Sequence, residues 1–181
     1  NLVPLEAIPS HLKTPTVLET ALPHLGLTAV IRNLGNYTKH GILVPQSDST
    51  KMVISRITNS ENLKKARIHP LSILQAMTTY QSGTGLKGSG TWEVNPSIVD
   101  ALDDAFYMSF DNVVPTGKRI MMSLDVSASM TWNGCGGMPS ITPRVGSAAM
   151  AMVNMRTESD YLITGFTSKG GDWNDSGISQ L

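Results

Sequence analysis

Apolar residues recur at helical spacing in short segments through the first two thirds of the chain, separated by proline, glycine and asparagine. Thr14-Pro15 and Asn95-Pro96 each place a capping side chain before a proline, which predicts the start of a helix. Gly35 is predicted to end the second helix in a left-handed conformation, and Asp48 to cap the third. Short helices with short connections indicate an α-solenoid or an irregular helical array. The predicted helices cover residues 16–22, 25–34, 48–57, a short stretch from 60, 70–80 and 96–110.

The pattern changes after residues 113–117. Two short apolar runs, 120–124 and 161–166, predict strands, and between them a glycine-rich loop precedes a helix predicted from Arg144 to about Arg156. Strand, helix and strand form a βαβ unit, whose sheet is normally parallel and covered on both faces. The polar tail, residues 168–181, is predicted to be a loop.

The composition is that of a folded protein with an apolar core. The 181 residues are 40% apolar, and 14 Lys and Arg balance 14 Asp and Glu, which argues against a protein that is basic throughout but permits a local basic patch. No apolar stretch approaches the ~18 residues of a membrane span. A single cysteine excludes a disulfide framework and suits the cytosol. The chain begins Asn-Leu-Val-Pro without a signal peptide, so we expect a piece of a longer cytoplasmic protein.

Asp125, Ser127 and Ser129 form the motif with the strongest chemical signal. The aspartate follows the first predicted strand, and ligands of parallel sheets bind at the carboxyl ends of strands. A carboxylate and two hydroxyls at alternating positions offer hard oxygen ligands for Mg²⁺, Mn²⁺ or Ca²⁺. The alternative is an aspartate that closes a strand, followed by serines that cap the next turn. A hydrolase or nuclease built on this metal would also need a general base, and the motif contains none.

A compact basic cluster consists of Lys64, Lys65, Arg67 and His69. Together with Arg32 on the second predicted helix, these side chains are candidates for contacts with the phosphates of a nucleic acid. The positive N-terminus of the helix that begins after His69 would strengthen anion binding there. The alternative is that the cations only compensate the negative C-terminus of their own helix.

The segment from Gly83 to Gly88 fits the dinucleotide-binding pattern G-x-G-x-x-G. That function needs a strand before the glycines and a helix after them. Because a helix is predicted before Gly83, we interpret the segment as a helix end followed by a turn. No serine–histidine–aspartate order, P-loop or carboxylate pair in the sequence indicates catalysis.

Three segments resemble the Ro (SS-A) autoantigen family of ribonucleoproteins. They are Thr28-Ala-Val-Ile-Arg-Asn-Leu-Gly35, Leu63-Lys-Lys-Ala-Arg-Ile-His-Pro70 with its continuation to Tyr80, and Pro115-Thr-Gly-Lys-Arg119 with the DVSAS residues that follow. The segments occur in the family's order and spacing, and the resemblance extends from about Ser10 to Phe166. The glycine-rich loop and Cys135 suggest a bacterial or phage-type member.

The resemblance implies a mainly α fold of HEAT-like helical repeats, the TROVE domain, followed by the start of an α/β von Willebrand factor A (vWA) domain. Residues 1–114 would be the last part of the TROVE domain, and residues 115–181 the first part of the vWA domain. Asp125, Ser127 and Ser129 match the first loop of the vWA metal site, which implies Mg²⁺. That site also takes a threonine and an aspartate from later loops, and neither can be assigned in this sequence.

The resemblance also implies a function. Members of the family bind small noncoding Y RNAs and the ends of misfolded RNAs, and they act in RNA quality control without catalytic activity. We expect an exoribonuclease or another protein as a partner of the vWA domain. The second candidate function is a metal-dependent protein-interaction module, in which the helices serve as a scaffold.

Overall fold

The computed structural model describes residues 7–86, 90–168 and 176–180. As the sequence predicts, their fold is mainly helical at first and α/β at the end. In these ranges, no helix is long and apolar enough to cross a lipid bilayer. The α-helices of the first part are α1 (Pro15–Ala21), α2 (Leu27–Arg32), α3 (Leu34–Lys39), α4 (Asp48–Ile57), α5 (Ser60–Ala66), α6 (Pro70–Gln81) and α7 (Pro96–Met108). Short 3-10 turns lie at Ser10–Leu12, Leu22–His24 and Ser109–Asn112.

The predicted capping residues start two of these helices. The side chains of Thr14 and Asn95 each accept a hydrogen bond from a backbone N–H in the first turn of α1 and α7. The prediction for α4 is wrong by one residue. Ser47 is its cap, because the Ser47 hydroxyl accepts the N–H of Thr50 at 3.1 Å, and Asp48 is the first residue inside the helix.

The second predicted helix, 25–34, is wrong in its extent, because α2 covers only Leu27–Arg32 and a further helix, α3, which the pattern does not predict, begins at Leu34. The break is at Asn33, whose backbone leaves the helical conformation (φ −107°, ψ 8°). Its side-chain amide donates to the carbonyl of Ala29 at 2.8 Å, and asparagine often competes with the helix backbone in this way. Gly35 therefore lies inside α3, and its predicted role as a left-handed helix end is also wrong.

The apolar core is continuous from the helical part into the α/β part. Leu34, Ile57 and Leu102 of the helices belong to the same buried cluster as Ile141 and Val153 of the last third of the chain. Removal of this apolar surface from water is the main favourable contribution to folding. The two parts are thus packed against each other, and a surface can combine residues of both.

The α/β part is a strand, a helix and two further strands. The predicted βαβ unit is confirmed: β1 (Ile120–Asp125) and β2 (Tyr161–Ser168) are parallel, and α8 (Pro143–Thr157) connects them. Ile120 lies opposite Tyr161 in this register. The prediction of a loop for the tail is wrong for Ser168, which ends β2, and for β3 (Ser176–Gln180), which pairs antiparallel with β2. The rest of that predicted loop, 169–175 and 181, lies outside the described residues.

Part of one face of this sheet is exposed in the described residues. Met121 and Leu162 are opposite each other on β1 and β2, and both are exposed, Met121 at 63% of its surface. Phe166, four residues further along β2, is exposed as well. Thr164, between Leu162 and Phe166 on the same face, is buried, and whether the sheet is covered on both faces in the intact protein stays a prediction.

Candidate nucleic-acid interface and metal loop

The turn between α5 and α6 brings together three of the predicted RNA-binding residues. After Ala66, Arg67 adopts a left-handed conformation (φ 48°), and its N–H caps carbonyls in the last turn of α5. The next helix, α6, begins at Pro70. As a result, Lys64, Arg67 and His69 line one surface groove of about 360 Å³, which we call the basic groove.

The opposite wall of the basic groove is the segment after α7. Asp111 and Asn112 line it, and the Asn112 amide donates to the carbonyls of Leu63 at 3.5 Å and Ile68 at 3.1 Å. Asn112 thus fixes this wall against the end of α5. Sequence reasoning missed both wall residues, because an aspartate and an asparagine after a helix are too common to indicate a site.

The cations in the basic groove, and Lys65 next to it in sequence, are available to a ligand. Lys64, Lys65 and Arg67 are exposed, and none of them forms an ion pair in the part of the chain that the structure describes. Lys64 and Lys65 also lie in the last turn of α5, where cations stabilise the negative end of a helix. The arrangement is therefore compatible with phosphate binding and with the alternative of helix stabilisation.

His69 has a structural bond and one remaining donor. Its Nδ1 accepts the N–H of Leu71 at 3.2 Å and so caps α6. A neutral imidazole whose Nδ1 accepts must carry its proton on Nε2. The exposed Nε2–H can then donate to a phosphate oxygen without loss of the cap.

The remaining two predicted RNA-binding residues lie elsewhere. Arg32 lines a separate and larger cleft between α2, α3 and α6. Lys65 lines neither this cleft nor the basic groove in the described structure. The structure thus brings together three of the five residues, and whether any of them contacts RNA remains a prediction.

Two hydrogen bonds connect the three predicted metal-binding residues in series at the end of β1. The Asp125 carboxylate accepts the N–H of Ser127 at 2.9 Å, and the hydroxyl oxygens of Ser127 and Ser129 are 3.0 Å apart. The Ser127 hydroxyl and N–H both hydrogen-bond the carboxylate and lower the pKa of Asp125, so its charged form is favoured. Ser127 precedes the 3-10 turn Ala128–Thr131 but makes no side-chain cap bond there, so the capping alternative does not hold for its hydroxyl.

This donor set fits part of a magnesium site. One carboxylate and two hydroxyls are hard oxygen ligands, and Mg²⁺ typically combines one or two carboxylates with several waters. The described ranges contain no group of three or more His, Cys, Asp and Glu residues that could hold a metal. Asp125 would thus neutralise only part of the ion's charge, and the residual positive charge could attract an acidic group.

Arg144 positions the metal loop, and sequence reasoning missed it. Its guanidinium, from the first turn of α8, donates to the carbonyls of Val126 at 3.0 Å and Ser127 at 3.1 Å. The two carbonyls belong to the loop that carries the predicted ligands. An arginine near the start of a helix gives no signal for such a bond, because its partners lie in a different element.

Comparisons with known proteins identify both parts of the chain. Residues 6–81 match the TROVE domain, and residues 119–176 match the Ro60 vWA domain. The chain is 44% identical over 168 residues to a Deinococcus radiodurans protein described as RNA-binding protein RO60, a match that covers 92% of this chain and 32% of that protein. It is 36% identical over 167 residues to RNA-binding protein RO60 of Caenorhabditis elegans, across 92% of this chain and 25% of the relative.

The fold is also that of a solved relative. The crystal structure of the Deinococcus radiodurans RO (RSR) protein matches with a TM-score of 0.86 and 43% sequence identity, over 92% of this chain and 34% of that chain. The chain thus spans between a quarter and about a third of the length of these relatives. Both domain models match in the order that the sequence predicts, and the fold is shared with a Ro protein, so the chain belongs to the Ro60 family.

Proposed function

We propose that this chain belongs to an RNA-binding ribonucleoprotein component that binds small noncoding RNAs of the Y type and misfolded RNAs. In this proposal the protein acts in RNA quality control in the cytoplasm and catalyses no reaction. Two relatives that share at least 36% of the aligned residues are described as RNA-binding proteins, which supports the general class. The named RNA classes and the cellular role rest on family membership.

The observation that carries the proposal is the basic groove. Lys64 and Arg67 present exposed charges without an ion pair in the described residues, and His69 adds a donor beside the N-terminus of α6. Phosphate oxygens are negatively charged acceptors, and both bidentate arginine and a helix N-terminus bind them well. Asp111 is the one acidic residue that lines the groove in the described structure. The groove therefore favours a polyanion.

Salt dependence of RNA binding by the intact protein tests this proposal. Charge reversal with Lys64→Glu and Lys65→Glu should weaken binding of a structured noncoding RNA, and the salt slope should fall by about one unit per lost phosphate contact. A matched control reverses the charges of Lys13, before α1, and Lys51, on α4, which are not part of α5 or of the α5–α6 turn, and should change neither quantity much. If both double variants weaken binding equally, net charge and not the basic groove is responsible. If the Lys64 and Lys65 variant has no effect, these lysines only stabilise the end of α5.

A second candidate function is supported by the metal loop. Hydrogen bonds link Asp125, Ser127 and Ser129 at the carboxyl end of β1, and Trp132, which follows shortly after, is 67% exposed. Mg²⁺ held there could bind a carboxylate of a protein partner, such as an exoribonuclease, while the indole supplies an apolar contact. Binding of such a partner should be lost with a chelator and restored by Mg²⁺, whereas RNA binding at the basic groove should persist.

A further inference from the structure

The loop between the 3-10 turn Ala128–Thr131 and α8 contains an asparagine followed by a glycine, Asn133-Gly134, a pair that occurs once in the chain. Both residues are exposed. Asn133 has a left-handed backbone conformation (φ 60°), which asparagine adopts more readily than most residues. Asparagine is chemically labile, and a glycine after it leaves the backbone nitrogen accessible because glycine has no side chain. The pair is therefore a candidate for a reaction between its own side chain and backbone.

Neither reacting group is protected by a hydrogen bond within the part of the chain that the structure describes. The Gly134 N–H donates to no acceptor there, and the Asn133 side chain has no partner there. Asn154 on α8 differs, because its side-chain amide donates to the carbonyl of Met150 at 3.0 Å. Such a bond has to break before an amide can react, so Asn154 is protected in a way that Asn133 is not.

The main chain at Gly134 is closely packed, although its N–H is free. A Cβ added to Gly134 would lie 2.5 Å from Cα of Pro139 and 2.6 Å from the carbonyl oxygen of Met138. The following residues hold this arrangement, because the N–H of Cys135 donates to the carbonyl of Ile141 at 2.8 Å and the Ile141 side chain is fully buried. The loop therefore has no room for an additional backbone atom at this point.

We propose that Asn133 is a site of spontaneous modification, converted through a succinimide into aspartate and isoaspartate. The Gly134 nitrogen attacks Cγ of Asn133 and forms a C–N bond, while the bond from Cγ to the side-chain nitrogen breaks. That nitrogen leaves as ammonia and takes the proton of the Gly134 N–H. Water then opens the succinimide at either of its carbonyls, which yields aspartate or isoaspartate. The only co-reactant is water, and nothing is oxidised or reduced.

The two products have different consequences for the loop. Aspartate adds a negative charge but keeps the main chain as it is. Isoaspartate routes the main chain through the former side chain and lengthens it by a methylene group. Because Gly134 is in close contact with Pro139 and Met138, this extra length displaces Gly134 and loosens residues 134–141. Isoaspartate at this position is thus an irreversible switch that frees the loop between the metal loop and α8.

Storage of the intact, folded wild-type protein in mildly alkaline buffer tests the chemistry. Peptide mass spectrometry should find the loss of the amide concentrated at Asn133, and slower in mildly acidic buffer because the Gly134 nitrogen must give up its proton. An isoaspartyl-specific methyltransferase should label the stored protein at this position. Loss at Asn133 no faster than at Asn154 would overturn the proposal. Aspartate without isoaspartate would indicate direct hydrolysis of the amide and would also overturn it.

Hydrogen exchange of the backbone amides of residues 134–141 tests the switch. Exchange should become faster in stored wild-type protein that contains isoaspartate. It should stay slow in Asn133→Gly, which tolerates the left-handed conformation but has no amide to lose. It should also stay slow in Asn133→Asp, which carries the charge without the longer main chain. Unchanged exchange in the stored wild type would overturn the switch, and equally fast exchange in Asn133→Asp would overturn the role of main-chain length.

Discussion

The ring of Trp92 occupies the space that a side chain at Gly35 would need, since a Cβ added to Gly35 would lie 2.5 Å from Cη2 of Trp92. Trp92 is held there by two contacts with Tyr80: its indole N–H donates to the Tyr80 carbonyl at 2.9 Å, and the rings stack with centroids 6.0 Å apart. The Tyr80 hydroxyl in turn accepts the N–H of Asn95 and lies 3.0 Å from the Thr38 hydroxyl. Gly35 is thus required by packing.

Substitution of Gly35 by alanine should therefore destabilise the protein. We expect a loss of about 1–3 kcal/mol in the free energy of unfolding, the usual cost of an overpacked core. In a Trp92→Leu background, the same substitution should cost much less because the clash is absent. Urea denaturation of the four proteins of this double-mutant cycle measures the coupling. A coupling near zero would show that Trp92 does not restrict Gly35.

Phe106 anchors the end of α7, as its helical spacing predicts. It is 5% exposed, and its ring packs edge-on against Phe110 and Tyr107 with centroids 5.0 and 5.3 Å away. Phe106→Ala should cost roughly 3–5 kcal/mol because it leaves a cavity in the core. Tyr107→Ala, on the exposed side of the same helix, should cost less. An unchanged melting temperature of the Phe106 variant would contradict its place in the core.

Glu158 makes the stability of the α/β part dependent on pH. Its carboxylate accepts the N–H groups of Thr116 at 2.6 Å and Gly117 at 3.1 Å, and it is buried. These bonds, that from the Thr116 N–H foremost, lower the pKa of Glu158 below its ordinary value. Because the pKa of Glu158 is lower in the folded protein than in the unfolded chain, the charged carboxylate stabilises the folded state at pH values above the ordinary glutamate pKa of about 4.3. This stabilisation is lost as the pH falls through the lowered pKa.

Glu158→Gln should therefore lower the melting temperature at pH 7, and the difference from wild type should shrink as the pH falls below about 4. The amide keeps the shape of the side chain but accepts more weakly and carries no charge. Asp160→Asn, at an exposed ion pair with Arg119, serves as a control and should have a small effect at either pH. A pH-independent difference for the Glu158 variant would exclude the carboxylate charge as the cause.

The metal prediction can be tested by calorimetric titration of Mg²⁺ into the intact protein. Wild type should bind one ion at the loop of Asp125, Ser127 and Ser129, and Asp125→Ala should abolish the heat because it removes the charged ligand. Arg144→Gln should weaken binding less, since it frees the loop but leaves every ligand in place. Equal and negligible heats from wild type and Asp125→Ala would show that the motif is structural in this protein.

The local features of the structure were predictable from the sequence, and the reason is that they depend on neighbouring residues. Thr14 and Asn95 cap helices through bonds to residues two or three positions away. Asp125, Ser127 and Ser129 gather at the end of β1 because a strand followed by a tight turn brings alternate residues together. The wrong helix boundary at Asn33 also has a local cause. The Asn33 side chain competes with the helix backbone for the carbonyl of Ala29, and helical spacing alone does not show this.

Distant contacts were decided only by the tertiary structure. No local signal pairs Gly35 with Trp92, Glu158 with Thr116, or Arg144 with the carbonyls of the metal loop, because each pair depends on how whole elements pack. The same holds for the basic residues. The sequence identifies them as exposed cations, but the path of α2, α5 and α6 places Arg32 and Lys64 in separate depressions. The sequence therefore shows which side chains can bind ligands, whereas the grouping of those side chains into sites follows from the packing that buries the shared apolar core.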